Sequence, residues 1–260
     1  MTGMDAVSEC ERIARAFLAA RAAGTALAAY PGAMPATMAE AYAIQDAAIA
    51  RDGRRIGGWK VGRIAPELVG HYGDNRIAGP IFADEIARDG AAMPVYAGGF
   101  AAAEAELLLR FGDVGDREHD IDTVRDCITE VRVGIEIASS PFAGINRHGP
   151  AVTASDYGNN KGLVLGPPIA DWRDLDLIAM PVELRIDGKP VGAATMETML
   201  DGPFGSALFL IRTLRRRRIA IAPGTWVSAG AITGVHPIRP GERAEALFDG
   251  RISVGCRITP

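Results

Sequence analysis

At 260 residues, 48% apolar and 23% charged, the chain has ordinary globular composition, which excludes a disordered protein. A chain of this length buries roughly 70–75% of its unfolded surface, so its core needs no disulfide or metal to hold it. The 28 basic and 32 acidic residues leave a net charge of −4. That balance gives no electrostatic footprint for nucleic acid or an anionic membrane, and the expectation is a soluble protein acting on a small molecule.

The opening stretch Met1-Thr2-Gly3-Met4-Asp5-Ala6 lacks a basic region followed by an apolar one. No apolar run approaches the ~20 residues that span a bilayer, and a cytoplasmic location is expected. From Met4 to Ala23 the sequence is Ala-rich, with Ile13, Phe17 and Leu18 at helical spacing. Pro31, Gly32 and Pro35 break that helix, and a second begins at Thr37, which makes a capping box with Glu40. It runs to about Arg51 and ends at Gly53.

From Ile56 the texture changes to short strand-like runs divided by Gly, Pro and Asp. They are Trp59–Val61, Ala103–Phe111, Val131–Ala138, Gly162–Leu165, Val182–Ile186, Thr225–Ser228, Ala244–Phe248 and Ile252–Ile258. The pairs Asp187-Gly188 and Asp249-Gly250 mark type I′ hairpins and predict antiparallel pairing in the second half. One helix interrupts it at about Pro203–Arg215, with proline suited to the first turn. The arginines at its end, Arg212 and Arg215–Arg218, complement the helix dipole, and no aromatic residues interleave them for base stacking. The predicted architecture is α+β, a helical segment over residues 1–55 on a β-rich, mixed-sheet body over 56–260, together forming one structural domain.

The common catalytic signatures are absent: no Walker loop, no Gly-x-Gly-x-x-Gly after a strand, no His-Glu-x-x-His and no Gly-x-Ser-x-Gly. The cysteines Cys10, Cys127 and Cys256 are odd in number and far apart, which fits a reducing compartment. Only His71, His119, His148 and His236 are available, at spacings that suit neither a triad nor a zinc site. Lysine is also scarce, with Lys60, Lys161 and Lys189 alone.

The acidic residues carry the signal. In Ala103-Glu104-Ala105-Glu106-Leu107 the strand period of two sends Glu104 and Glu106 to one face, about 7 Å apart. Val131-Arg132-Val133-Gly134-Ile135-Glu136-Ile137 alternates in the same way and turns Glu136 away from its Val/Ile face. A solvated face is the plain alternative for such a pair, but the apolar flanks set this strand inside the body. If the two strands are neighbours, three carboxylates converge, and their repulsion calls for a cation. All-oxygen ligation suits Mg²⁺ or Mn²⁺.

Six segments, in order, resemble the 2-keto-4-pentenoate hydratase and 4-oxalocrotonate decarboxylase group of the fumarylacetoacetate hydrolase superfamily. They are Ala41-Tyr42-Ala43-Ile44-Gln45, Gly58-Trp59-Lys60-Val61-Gly62, Ile81-Phe82-Ala83-Asp84, Ala103-Glu104-Ala105-Glu106, Gly134-Ile135-Glu136 and the stretch from Gly224 to Gly241. The resemblance implies a β-rich fold of that superfamily, a divalent-metal site and a homo-oligomer. By position it implies Glu104, Glu106 and Glu136 as metal ligands, Lys60 beside the substrate with a depressed pKa, and Asp84 as an acid or base on a loop over the site.

The implied chemistry is lyase chemistry on 2-oxo acids through an enolate at C2–C3, with the metal as Lewis acid. A hydratase acting on a 2-hydroxydienoate is the first expectation. Decarboxylation, C–C hydrolysis of an acylpyruvate, or a non-catalytic member with an altered pocket are the alternatives. Asp156, Ser228 and Gly230 fall where the group binds substrate, and here the sequence departs from it. Asp156 is followed by Tyr157 instead of Asn, Ala194-Thr195-Met196 replaces a Gly-x-Gly turn, and Ala229-Gly230 stands where Thr-Gly is usual. The loops Gly112–Asp122 and Ser139–Tyr157 are expected to shape the pocket.

Overall fold

The computed structural model describes residues 3–260; Met1 and Thr2, the first of the 1–55 segment, lie outside the described residues. The elements in chain order are helices α1 (Gly3–Ala23) and α2 (Met38–Asp52), strand β1 (Ile56–Arg63), helix α3 (Pro66–Tyr72), and strands β2 (Arg76–Phe82), β3 (Ile86–Arg88), β4 (Ala92–Pro94), β5 (Phe100–Phe111) and β6 (Ile128–Ser140). Helix α4 (Pro150–Ser155) and strands β7 (Asn160–Pro168), β8 (Val182–Ile186) and β9 (Lys189–Ala194) follow, then helix α5 (Gly202–Arg216) and strands β10 (Trp226–Ser228), β11 (His236–Pro237), β12 (Arg243–Phe248) and β13 (Ile252–Thr259).

Local chemistry explains the boundaries. Thr37 Oγ1 accepts from the Glu40 amide while the Glu40 carboxylate accepts from the Thr37 amide, the reciprocal cap that starts α2. Gly53, at φ 69°, closes that helix in the left-handed region where a Cβ is unfavourable. Both Asp-Gly pairs adopt two successive positive φ angles, as a type I′ turn requires, and they join β8 to β9 and β12 to β13.

The strands form two mixed sheets. The larger runs β2-β1-β10-β5-β6-β7-β3 with β11 added beside β5, and the smaller runs β4-β13-β12-β8-β9. The second half of the chain therefore divides between them. β8, β9, β12 and β13 pair antiparallel as the turns predict, whereas β7 and β10 join the larger sheet, where β10 lies parallel to β1. A three-residue strand such as β10 carries no signal for which sheet accepts it.

The main core joins one face of β5 and β6 to the smaller sheet and α5. Ala103, Ala105, Leu107, Leu109, Val131, Val133, Ile135 and Ile137 are buried there together with Ala246, Phe248, Val254 and Leu210. Each large apolar side chain buried in this way contributes roughly 1.5–3 kcal/mol. This inward set consists of the odd-numbered positions, so the even-numbered Glu104, Glu106 and Glu136 face the opposite side.

Helices α1 and α2 pack together, and Arg21 of α1 ties them to the body through Asp156 at 2.6 Å. No helix among the described residues is long and apolar enough to cross a membrane. Four of the five arginines at the end of α5 meet protein, and Arg218 is exposed. Arg212 and Arg215 donate to the carbonyls of His119 and Gly115, Arg216 pairs with Asp74, and Arg217 pairs with Asp46.

Candidate metal centre

The register of β5 against β6 sets Glu104 directly across from Glu136, and Glu106 across from Gly134. All three glutamates are buried, and one oxygen of each lies within 4.8 Å of the others. The convergence that the alternation predicts on neighbouring strands is thus present, and the solvated-face alternative is not.

Each carboxylate is oriented by the surrounding backbone and side chains. Glu106 Oε2 accepts from Ser228 Oγ at 2.5 Å and from the Gly230 amide at 2.9 Å. Glu136 Oε1 accepts from Asn160 Nδ2 at 2.9 Å and lies 3.3 Å from Lys60 Nζ. The other oxygens, Glu106 Oε1 and Glu136 Oε2, are buried with no partner. Buried carboxylate oxygens without a partner are costly unless a cation takes them, and a hard, oxygen-seeking divalent ion fits this donor set.

The electrostatics agree. Burial, opposed by Lys60 and reinforced by Glu136, pushes the Glu104 carboxyl up to about 7. Burial together with the charges of Glu136 and Glu104 holds Glu106 well above the usual carboxylate range. Burial disfavours the Lys60 ammonium, but Glu136, Glu104 and Glu106 together outweigh it and raise its pKa. In the metal-free site Lys60, facing three carboxylates, is thus a held cation; the depression expected of it belongs to the site with a metal bound.

A stability prediction follows for the metal-free protein. The Glu104 pKa is raised from 4.5 to about 7, so its favourable contribution is full below pH 4.5 and is lost as pH rises through 7. The span is worth on the order of 3 kcal/mol. In EDTA the melting temperature should fall between pH 5 and 8, and the increment gained on adding Mg²⁺ should grow over the same range. A flat metal-free profile in thermal denaturation would count against this charge balance.

Lys60 reaches the cluster because β1 lies beside β10, with Lys60 in register with Ser228. Its Nζ also donates to Asn159 Oδ1 at 3.3 Å, and Asn159 Nδ2 donates to Asn146 Oδ1 at 3.0 Å. Tyr157, Gly158 and Asn159 take three successive left-handed conformations, at φ 57°, 62° and 59°. The tight turn is pressed against Gly79, where any Cβ would collide with the Tyr157 carbonyl. Such strain is held only where the surroundings over-determine it, and here it delivers Asn159 to Lys60 and Asn160 to Glu136.

These two asparagines escape the sequence reading. The available signal is Gly158-Asn159-Asn160 entering a strand, since Asn tolerates the left-handed region.

The remaining predicted site residues are placed differently. Asp84 sits on the turn Ala83–Glu85 with its side chain 62% exposed, 3.5 Å from Arg54, and does not line the cleft beside Lys60. The buried Phe82 before it and the Glu85–Lys161 pair after it fix that turn with Asp84 outward. Asp156 is buried with both oxygens engaged, Oδ1 by Arg21 and Oδ2 by Ser140 Oγ at 2.7 Å, so it ties α1 to the body instead of facing a ligand. Ser228 and Gly230 do reach the centre, but there they hold Glu106.

A cleft of about 500 Å³ opens over Lys60 and Glu104. Asn146, Asn159 and Thr153 give it a polar wall, and Ile64, Leu68 and Ile77 an apolar one. The segment 139–157 contributes to this cleft as expected, whereas none of residues 112–122 line it.

No family model matches the chain. Among curated proteins it is 27% identical over 220 residues to a 2-keto-4-pentenoate hydratase of Paraburkholderia xenovorans (strain LB400), covering 83% of this chain and 81% of that protein. It is 28% identical over 218 residues to 2-keto-4-pentenoate hydratase 1 of Dechloromonas aromatica (strain RCB), covering 81% of each.

Among solved structures, 4-oxalocrotonate decarboxylase from Pseudomonas putida G7, complexed with magnesium and adipate, superposes with a TM-score of 0.82 at 20% identity, over 99% of this chain and 98% of that one. Fumarylpyruvate hydrolase from Pseudomonas aeruginosa, in complex with Mn²⁺ and pyruvate, gives a TM-score of 0.59 at 17% identity, over 79% and 90%. The sequence likeness and the fold agree: the chain is similar in sequence to 2-keto-4-pentenoate hydratases and shares its α+β fold with 4-oxalocrotonate decarboxylase and, less closely, with fumarylpyruvate hydrolase.

Proposed function

We propose that the protein is a divalent-metal-dependent lyase on 2-oxo acids, a hydratase that adds water to a 2-hydroxydienoate. The observation that carries this reading is the set of three buried glutamates with two orphaned oxygens, beside the buried Lys60 at the floor of an open cleft. Its sequence relatives bear the name of that activity. Glu104, Glu106 and Glu136 would hold Mg²⁺ or Mn²⁺, which when bound supplies Lewis-acid polarisation of the 2-oxo group.

The chain's own groups do the rest. Among the described residues Lys60 Nζ is the one ammonium lining the cleft. It stands ready to hold the substrate carboxylate and to carry the proton that converts the dienol to an α,β-unsaturated ketone. That ketone accepts water at C4. Asn159 fixes the Lys60 head, and the Ile64–Leu68–Ile77 wall shields one side of the substrate from bulk water. Asp84, held on the surface by Arg54, has no part in this scheme.

Decarboxylation is the second reading, favoured by the near-complete superposition on 4-oxalocrotonate decarboxylase. An assay of 2-hydroxydienoates and oxalocrotonate-like acids, with Mg²⁺ or Mn²⁺ and then with EDTA, tests both. Product analysis separates water addition, CO₂ loss and C–C cleavage. Absence of metal-dependent turnover alongside measurable metal binding would mark a non-catalytic member instead.

We further infer a cytoplasmic homo-oligomer whose residues 1–55 and 56–260 form one structural unit. Three free cysteines and the buried Arg21–Asp156 tie support location and unity, and light scattering tests the assembly.

A further inference from the structure

The turn that brings Asn159 to Lys60 and Asn160 to Glu136 passes through three successive left-handed residues, and only the middle one is glycine. Residues with a Cβ leave that region unless their surroundings hold them there. Gly79 makes room for the turn, but room alone does not hold it. The group that holds it comes from the last turn of α1. Arg21 is 5% exposed, and its guanidinium bonds both ends of the turn. Nη2 donates to the Asp156 carbonyl at 3.2 Å and Nη1 to the Asn160 carbonyl at 3.0 Å. Nε donates to Asp156 Oδ1, whose companion oxygen accepts from Ser140.

Between those two ends the guanidinium lies over the Tyr157 ring, 4.8 Å from its centroid, while Phe82 meets the same ring edge-on. Tyr157 is a position where the sequence departs from the group it resembles, so this stacking surface belongs to the present chain. A planar, forked cation can bond two carbonyls and a carboxylate at once while lying on a ring, which an ammonium cannot. Arg21 does not line the cleft over Lys60 and Glu104. Its influence on the centre therefore passes through the turn, by one hydrogen bond from Asn159 and one from Asn160.

We propose that Arg21 is a positioning residue for the metal centre. By clamping Asp156 and Asn160 it keeps the left-handed turn in the one shape that presents Asn160 to Glu136 and Asn159 to Lys60. This rests on the function proposed above and deepens it, because it makes the N-terminal helix a support of the site and not only a cover on the body.

The first test needs no metal and no substrate. Arg21→Lys keeps a charge opposite Asp156 and removes the fork. Hydrogen exchange of the Tyr157–Asn160 amides should quicken about tenfold or more, with α1 changed by no more than a few-fold. Phe17→Leu is the comparison, because it loosens the seat of α1 against Tyr30 and leaves the guanidinium in place. It should lower the melting temperature and leave exchange in the turn as in wild type. Unchanged exchange in Arg21→Lys, or equal quickening in Phe17→Leu, overturns the clamp.

The second test is calorimetric titration with Mg²⁺. Arg21→Lys should bind the ion about tenfold or more weakly, the range for partners that orient a metal ligand, and Phe17→Leu within about twofold of wild type. At saturating Mg²⁺, kcat of Arg21→Lys on a 2-hydroxydienoate should stay about tenfold low, with KM less affected, because Asn159 no longer fixes Lys60. The pair Arg21→Gln with Asp156→Asn removes the clamp without stranding a buried charge and should act in the same direction. Wild-type Mg²⁺ affinity in either folded variant overturns the positioning role. If the wild type binds no divalent ion or turns over no dienoate, the proposed function fails, and the exchange measurement still decides the clamp.

Discussion

Glu106→Gln is expected to abolish Mg²⁺-dependent turnover while leaving a folded protein that melts at or above the temperature of the metal-free wild type. The amide keeps a carbonyl oxygen to accept from Ser228 and Gly230, so the local structure survives. Its Nε2 then turns donors toward the space where Glu106 Oε1 now offers an unpartnered acceptor. A cation loses one of three anionic ligands and meets a group that repels it, and activity should fall by more than about a hundredfold. Burial and the neighbouring acids already disfavour the Glu106 anion in the metal-free state, so a neutral amide there costs little, which is why stability does not drop with function. Metal-dependent activity within a few-fold of wild type would remove the metal assignment altogether.

Lys60→Met should separate catalysis from cation binding in the opposite sense. Lys60 is the only counter-charge within 4 Å of the three glutamates among the described residues. Without it the metal-free protein should lose about 3–5 kcal/mol, the cost of breaking a buried ion pair from one side. Mg²⁺ should bind more tightly, because its internal competitor is gone, and should restore most of the lost stability. Turnover should nonetheless fall by about 10²–10⁴, the range of a positioned proton carrier. Thermal melts, metal titration and kcat/KM measured on one preparation give these three directions. A kcat/KM near wild type would show that Lys60 is only a counter-ion.

How far the sequence is legible depends on the range of the interaction. The α2 cap and the two Asp-Gly turns are local, and Thr37, Glu40, Asp187 and Asp249 behave as their immediate neighbours dictate. Facing is also readable, since a period of two fixes Glu104, Glu106 and Glu136 once their strands are recognised. The pairing of those strands is not written in either one, and the pairing is what places Glu104 across from Glu136. Polar residues in connections are least legible. Asp84, Asp156, Ser228 and Gly230 all carry plausible donors or acceptors, but their partners come from Arg54, Arg21 and Glu106, residues 30 to 135 positions away along the chain. Asn159 and Asn160 reach the centre only through a backbone turn whose shape Gly79 permits from another strand.

The face-to-face placement of Glu104 and Glu136 makes the proposed cation site a gauge of assembly. Because side chains alternate along a strand, a slip of one residue between β5 and β6 would bring an apolar position opposite Glu104 and break up the ligand set. A slip of two would keep the faces and misalign the carboxylates. Only one alignment of the two longest strands presents all three acids together. A refolded or redesigned preparation that takes up one Mg²⁺ per chain has therefore aligned its central sheet correctly, and titration with the ion reads out that alignment without a substrate.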